Sequence, residues 1–208
     1  MSAGARYLLA TTNQDKVREI RALLAHLPIE LVGLDELPPI APPEETGSTF
    51  AENARLKAQY YSAHTHLPAI AEDSGLEVDA LGGIPGVQSA RFCGDDATYP
   101  ERFAELYLRL DAIGARDSTA RFVCHVALAD GDAIVFEARG TVEGQIAPEP
   151  RGPNGFGYDP IFFHPPSGMT LGEVPPERKA AVSHRGNAFR QLAAFLAGSR
   201  LLTPDSRR

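Results

Sequence analysis

Apolar and polar positions change period repeatedly along this chain, and each change marks an element. Arg6 to Thr11 is a short apolar run of the kind that forms a buried strand, after which Val17, Ile20, Leu24 and Leu27 recur at helical spacing as far as Pro28. Ile29 to Leu34 predicts a second strand. The four prolines of Leu37-Pro38-Pro39-Ile40-Ala41-Pro42-Pro43 then preclude regular structure, because proline lacks a backbone donor and fixes φ. Thr49 with Glu52 has the spacing of a capping box, and Phe50, Ala54, Ala58 and Tyr61 line one face of the helix that it starts. Pro68 to Asp73 predicts another buried strand. After Gly75 the alternation Leu76 to Leu81 predicts a separate one, ahead of the turn Gly82-Gly83-Ile84-Pro85-Gly86. Thr98 and Glu101 frame a second capping box with Pro100 at an early helical position, followed by Phe103, Leu106 and Leu110. Phe122 to Leu128, the turn Asp130-Gly131 and Ile134 to Arg139 predict an antiparallel hairpin. Arg151 to Pro160 predicts a long loop. Phe189, Leu192, Ala193 and Leu196 mark a final helix ending near Gly198, with residues 199–208 expected to fray.

Strand and helix signals that alternate, with one hairpin among them, predict an α/β fold: a mixed central sheet with flanking helices. No repeat or linker divides the 208 residues, so a single domain is expected, with two lobes around a substrate cleft separated by the Pro-rich and Gly-rich segments. A chain of this length buries enough surface to fold without a disulfide or metal staple. Any metal is therefore expected to serve chemistry.

The 20 Lys and Arg stand against 27 Asp and Glu, a formal charge of -7, which argues against nucleic acid or an anionic membrane as partner. A phosphate-bearing ligand then needs a local cation cluster or a divalent metal held by surplus carboxylates. Cys93 and Cys124 have no metal-site or redox-motif spacing and are read as reduced thiols of a cytoplasmic protein. The first apolar run is too short for a signal-peptide core, and no run approaches the roughly 18 residues of a membrane span.

Four segments carry candidate chemistry. Thr11-Thr12-Asn13-Gln14-Asp15-Lys16 lies where a strand hands over to a helix, so backbone N–H groups and Lys16 could meet a phosphate; an Asn cap with a solvated Lys fits the same residues. Glu44-Glu45 closes the Pro-rich loop, and Glu72-Asp73-Ser74-Gly75 ends an apolar strand, where open sheets place ligand sites. Carboxylates there suit Mg²⁺ with substrate phosphates, or else they solvate a loop and cap a turn. In Gly155-Phe156-Gly157-Tyr158-Asp159 the glycines admit a ligand, the aromatics can stack on a base and Asp159 can accept from ring N–H groups, although an aromatic-anchored surface turn has the same composition. Lys179 to Arg185 offers Lys179 for a phosphate and His184 and Arg185, just before the last helix, for a base carbonyl, or simply solvated cations at a helix end. The remaining histidines lack ligand spacing, and Ser74 has no evident base.

Taken in order, these segments resemble the non-canonical purine nucleoside triphosphate pyrophosphatases, the RdgB-like dITP/XTP pyrophosphatase family. The resemblance runs from about Leu8 to about Leu196. It is carried by Thr11-x-Asn13-x-x-Lys16, Glu45-Thr46-Gly47-x-Thr49-Phe50-x-Glu52-Asn53-Ala54-x-x-Lys57-Ala58, Asp73-Ser74-Gly75-Leu76, Leu81-Gly82-Gly83-x-Pro85-Gly86, Phe156-Gly157-Tyr158-Asp159-Pro160 and Ser183-His184-Arg185-Gly186. It implies Mg²⁺-dependent hydrolysis of ITP, dITP and XTP to the monophosphate and pyrophosphate, by a cytoplasmic homodimer. By position it implies Asp73 as general base and metal-associated carboxylate, with Glu45 or Glu44 as the second acidic contributor. Thr11 to Lys16, Ser74 and Lys179 would hold phosphates and sugar; Phe156, Gly157, Tyr158 and Asp159, with His184 and Arg185, would hold the base. Thr12 stands where many members carry Gly, and Glu72 where Asp is also common. A regulatory module that binds a purine triphosphate without cleaving it needs the cations and stacking loop but not the carboxylates. A pyrophosphatase for modified pyrimidine triphosphates is the nearer rival.

Overall fold

A computed structural model describes residues 5–199. The chain forms β1 (Ala5–Leu9), α1 (Gln14–Leu24), β2 (Ile29–Gly33), α2 (Phe50–Thr65), β3 (Ala69–Val78), α3 (Tyr99–Ala112), β4 (Thr119–Asp130), β5 (Ala133–Ile146), β6 (Phe162–His164), β7 (Met169–Thr170), α4 (Pro176–Val182) and α5 (His184–Gly198), with short 3-10 turns between. One sheet has the order β2-β1-β3-β4-β5-β6-β7. Its β1 pairs are parallel and its β5-β6 and β6-β7 pairs antiparallel, so the sheet is mixed as the sequence predicts.

Local chemistry explains the helix starts. Thr49 Oγ1 accepts from Glu52 N while Glu52 reaches back to the cap, and Thr98 with Glu101 repeats the arrangement at α3. Asp130 and Ala133 are separated by Gly131 and Asp132, with Gly131 at φ 61°, which makes the hairpin turn.

Three departures from the expected elements have physical causes. Gly75 does not break a strand; β3 runs through it. A Cβ there would lie 2.3 Å from Ser89 Oγ and 2.6 Å from the Gly86 carbonyl oxygen, so the glycine serves a close backbone approach rather than a turn. The segment before the last helix is itself helical: Lys179 lies within α4, and His184 opens α5. The long loop ends in a 3-10 turn that begins at Asp159, and the two short strands β6 and β7 follow it. Of the tail expected to fray, Ser199 is tied to the Leu196 carbonyl through its backbone and hydroxyl, and 200–208 lie outside the described residues.

The chain divides into two compact units, Met1–Asp73 with Cys124–Gly140 and Arg185–Arg208, and Ser74–Val123 with Thr141–His184. In the first, side chains alternate across the sheet. Tyr7 and Leu9 face α1 and α5 in a cluster with Ile20, Leu24, Phe189, Leu192 and Leu196, whereas Leu8 and Ala10 face α2 through Ala54, Ala58 and Tyr61. The second unit has its own core, in which Leu76, Phe103, Leu106, Phe122, Phe162 and Leu171 are buried. Among the described residues no helix is long and apolar enough to cross a membrane.

Candidate active site

β3 delivers two consecutive buried carboxylates, Glu72 and Asp73, because the strand is apolar up to Ala71 and each neighbour alternates faces. Asp73 meets α2. Asn53 and Lys57, one helical turn apart on the same face, reach it together: Asn53 Nδ2 donates to Oδ2 at 3.1 Å and Lys57 Nζ lies 3.3 Å from Oδ1. Asn53 Oδ1 accepts the Gly47 backbone N–H at 2.8 Å, which fixes the amide so that its NH₂ faces Asp73. Lys57 Nζ also pairs with Glu45 at 2.7 Å. Glu45 is half-buried in this pair and Glu44 is exposed, so of the two loop carboxylates it is Glu45 that the structure brings beside Asp73.

Burial pushes the Asp73 carboxyl above its ordinary value, with the Glu45 charge adding to the rise, and the nearby Lys57 and Lys16 do not fully reverse it. Lys57 is raised in turn: burial opposes its charge, but Asp73 and Glu45 outweigh that.

Glu72 is held differently. Lys16 Nζ lies 2.7 Å from its Oε1, Arg185 Nη2 donates to the same oxygen at 3.3 Å, and the Cys124 thiol donates to Oε2 at 3.3 Å. Burial works to raise the Glu72 carboxyl, yet Lys16 and Arg185 bring it well below the usual carboxylate range. Arg185 is buried and reaches Glu19 at 2.6 Å as well, and burial with Glu72 close by pushes the Cys124 thiol well up.

Within Thr11 to Lys16 the structure gives each polar side chain a local place. Asn13 caps α1, its Oδ1 accepting from the Asp15 and Lys16 backbone N–H groups, and Thr11 Oγ1 accepts from Asn13 N. Gln14 Nε2 donates to the Thr12 carbonyl and Asp15 pairs with Arg18. Lys16 is not a solvated cation. Its ammonium is turned inward onto Glu72.

The second unit holds the aromatic turn. Gly155 and Gly157 have φ of 73° and 65°, and a Cβ on Gly155 would stand 2.2 Å from Asp159 Oδ2, so no side chain is admitted there. Asp159 Oδ2 accepts the Phe156 N–H at 2.8 Å and pairs with Lys179 Nζ at 2.6 Å. Of the two aromatics, Phe156 is half-buried, while Tyr158 is packed edge-on against Tyr99 and donates its hydroxyl to the Ser89 carbonyl. His184 stacks on Phe122, ring centroids 4.8 Å apart. Ser74 is half-buried at the start of this unit's share of β3.

Asp73 and Lys16 thus belong to the first unit with Glu45, and Phe156, Tyr158, Asp159, Lys179 and His184 to the second; Arg185 falls in the first unit, bonded to Glu72. Sequence reasoning gave Asn53 and Lys57 no role in the site and named Glu72 among the candidate carboxylates without assigning it one. The i, i+4 spacing of Asn53 and Lys57, polar positions beside the apolar Ala54 and Ala58, is the signal that could have found the first two.

A family model described as the Ham1 family matches residues 7–195. A dITP/XTP pyrophosphatase of Geobacillus kaustophilus is 46% identical over 185 residues, covering 89% of this chain and 91% of that protein, and one of Geobacter sulfurreducens is 45% identical over 92% and 96%. The solved structure of a Ham1 protein from Coxiella burnetii superposes with a TM-score of 0.86 at 42% identity, covering 94% of this chain and all of that one. With a match that spans both the carboxylate pair on β3 and the aromatic turn, the chain belongs to the Ham1 family.

Proposed function

We propose that this protein hydrolyses deaminated purine nucleoside triphosphates, dITP, ITP and XTP, to the monophosphate and pyrophosphate, and so clears them from the nucleotide pool. The family membership and the names of the relatives support the reaction class. One observation carries the chemistry: Asp73 is a buried carboxylate raised above its ordinary value, oriented by Asn53 and set against Lys57 and Glu45. Such a group takes a proton more readily than a solvated aspartate does.

In the step that follows, a water oxygen forms a bond to the α-phosphorus, the bond from that phosphorus to the α-β bridging oxygen breaks, and pyrophosphate leaves. The water proton passes to Asp73. Lys16, aimed by Glu72, would place positive charge against the phosphate oxygens. The half-buried Phe156 and the Asp159 turn would take the base, with His184.

Among the described residues no group of three or more His, Cys, Asp or Glu side chains is arranged to hold a metal. Glu45 and Asp73 nevertheless fit Mg²⁺ as a donor set, since both are carboxylates that already share one cation, Lys57, and Mg²⁺ takes one or two carboxylates together with substrate phosphates. When bound, the ion would neutralise charge on the phosphate oxygens. The free thiols Cys93 and Cys124 support a reducing, cytoplasmic compartment. The homodimer remains part of the proposal, to be read by size-exclusion chromatography. The test of the function is pyrophosphate release from ITP, dITP, XTP, GTP and ATP with and without Mg²⁺: Mg²⁺-dependent release favouring the first three supports it, and equal rates on ATP end it.

A further inference from the structure

The segment that carries Glu45 has little means of holding itself in place. Prolines stand at 38, 39, 42 and 43, and proline brings no N–H to a hydrogen-bonded ladder. A stripe of α2 supplies the hold instead. Asn53, Lys57 and Tyr60 recur at i, i+4 and i+7 on one face of that helix. Each takes one point of the strap: Asn53 Oδ1 accepts the Gly47 N–H at 2.8 Å, Lys57 Nζ lies 2.7 Å from Glu45, and the Tyr60 hydroxyl donates to the Ala41 carbonyl at 2.9 Å. The strap thus runs along α2 in the opposite direction, with Glu45 between two points of attachment. On its apolar side Leu37, Ile40 and Tyr60 pack against the cluster that holds Ala54, Ala58 and Tyr61. Tyr60 is itself fixed, since its ring meets Tyr61 edge-on at 5.3 Å and His64 at 4.1 Å between centroids, which aims the hydroxyl.

The geometry points to Tyr60 as a positioning residue for Glu45: by tying down the strap at Ala41 it keeps that carboxylate beside Asp73, and so sets how tightly the pair binds a divalent cation. This rests on the reading that Glu45 and Asp73 hold Mg²⁺. A carboxylate on a loose strap has to be ordered before it can ligate, and that ordering lowers affinity. A strap already fastened to the helix presents Glu45 in place.

The test uses the full-length protein, wild type and Tyr60→Phe, which loses the hydroxyl and keeps the ring, with Mg²⁺ alone as the probe. Calorimetry without nucleotide is expected to show the Kd for Mg²⁺ raised about three- to tenfold, the range for loss of one hydrogen bond. The Mg²⁺ concentration that gives half-maximal pyrophosphate release from ITP should rise by a similar factor. Amide hydrogen exchange over residues 40–47 should quicken, while β1 keeps its wild-type rates. Arg55→Ala is the control: Arg55 lies on α2 as well but pairs with Glu137 of β5, and loss of such an exposed pair should leave the Mg²⁺ Kd within about twofold of wild type. An unchanged Kd in Tyr60→Phe overturns the inference even if exchange quickens, because Tyr60 then has a structural role only. An equal rise in Arg55→Ala overturns it too, by making the effect a general loosening of α2. A wild type that binds no Mg²⁺ overturns the metal reading and the inference with it. A wild type that binds Mg²⁺ without cleaving ITP overturns the proposed function, and the calorimetric comparison still decides the role of Tyr60.

Discussion

Glu72 and Asp73 are consecutive in β3 and answer to opposite sides of the sheet, Glu72 to Lys16 of α1 and Arg185 of α5, Asp73 to Asn53 and Lys57 of α2. Adjacent residues in a strand project to opposite faces, so one dipeptide feeds two ion networks with different fates. Glu72, held well down by two cations, is a fixed anion. Asp73, raised by burial, keeps a proton affinity that catalysis can use.

Asp73→Asn keeps the shape and removes the base. Turnover of ITP is expected to fall by about 10² to 10⁴, the range for loss of general-base catalysis, with thermal stability at neutral pH no lower than wild type because the raised carboxyl is costly to ionise in the fold. A base must be deprotonated to act. The acid limb of kcat/KM against pH should therefore lie above the ordinary carboxylate value in the wild type, and a limb at or below that value would remove Asp73 from the role.

Glu72→Gln should act on stability first. Loss of one partner of a buried ion network typically costs about 3–5 kcal/mol, and here it leaves Lys16 and Arg185 short of a counter-charge. Since the folded carboxyl lies below its unfolded value, Glu72 contributes stability that is present above the unfolded value and lost as pH falls through the folded one. Urea denaturation of wild type and variant at pH 7 and pH 4 should show the difference shrinking at the lower pH.

His125 carries the same sign at a higher pH. Its Nε2 is buried with Glu137 at 3.6 Å, and burial lowers the imidazole below its ordinary value despite that neighbour. A native state that resists protonation binds fewer protons than the unfolded chain, so stability falls as pH drops below about 6.5. His164, also lowered by burial, adds to the slope. His125→Gln should flatten part of the fall in Tm between pH 7.5 and 5.5, and an identical slope in the two proteins would show that His125 is not its source.

Gly75→Ala places a methyl within 2.3 Å of Ser89 Oγ and 2.6 Å of the Gly86 carbonyl oxygen. Overpacking of this kind costs about 1–3 kcal/mol, and Ser89 cannot move freely because its hydroxyl accepts from Leu76 N and donates to the Gly86 carbonyl while its own carbonyl accepts from Tyr158. Chemical denaturation reads the loss, and a stability equal to wild type would mean that the strand and the 86–89 turn can separate at little cost.

The chain's local chemistry was enough for the elements whose cause is local. The capping boxes at Thr49 and Thr98, the Asp130-Gly131 turn, the proline run and the apolar periods of β1, α1 and α5 all follow from residues within a few positions of one another, where backbone geometry and hydrogen-bond reach decide the outcome. The candidate carboxylates Glu45 and Asp73, Lys16 and the aromatic turn could be named from their types and order. What those charges do could not, because an ion pair is set by distance and burial between residues far apart in sequence. Lys16 meets Glu72 only because β3 lies beside β1 in the sheet, and Gly75 becomes a packing requirement rather than a break only once the 86–89 turn lies against it. Tertiary structure alone decided that Lys179 faces Asp159, that Arg185 faces Glu72 and that Lys57 stands between Glu45 and Asp73, since a buried charge takes the partner the fold puts within reach.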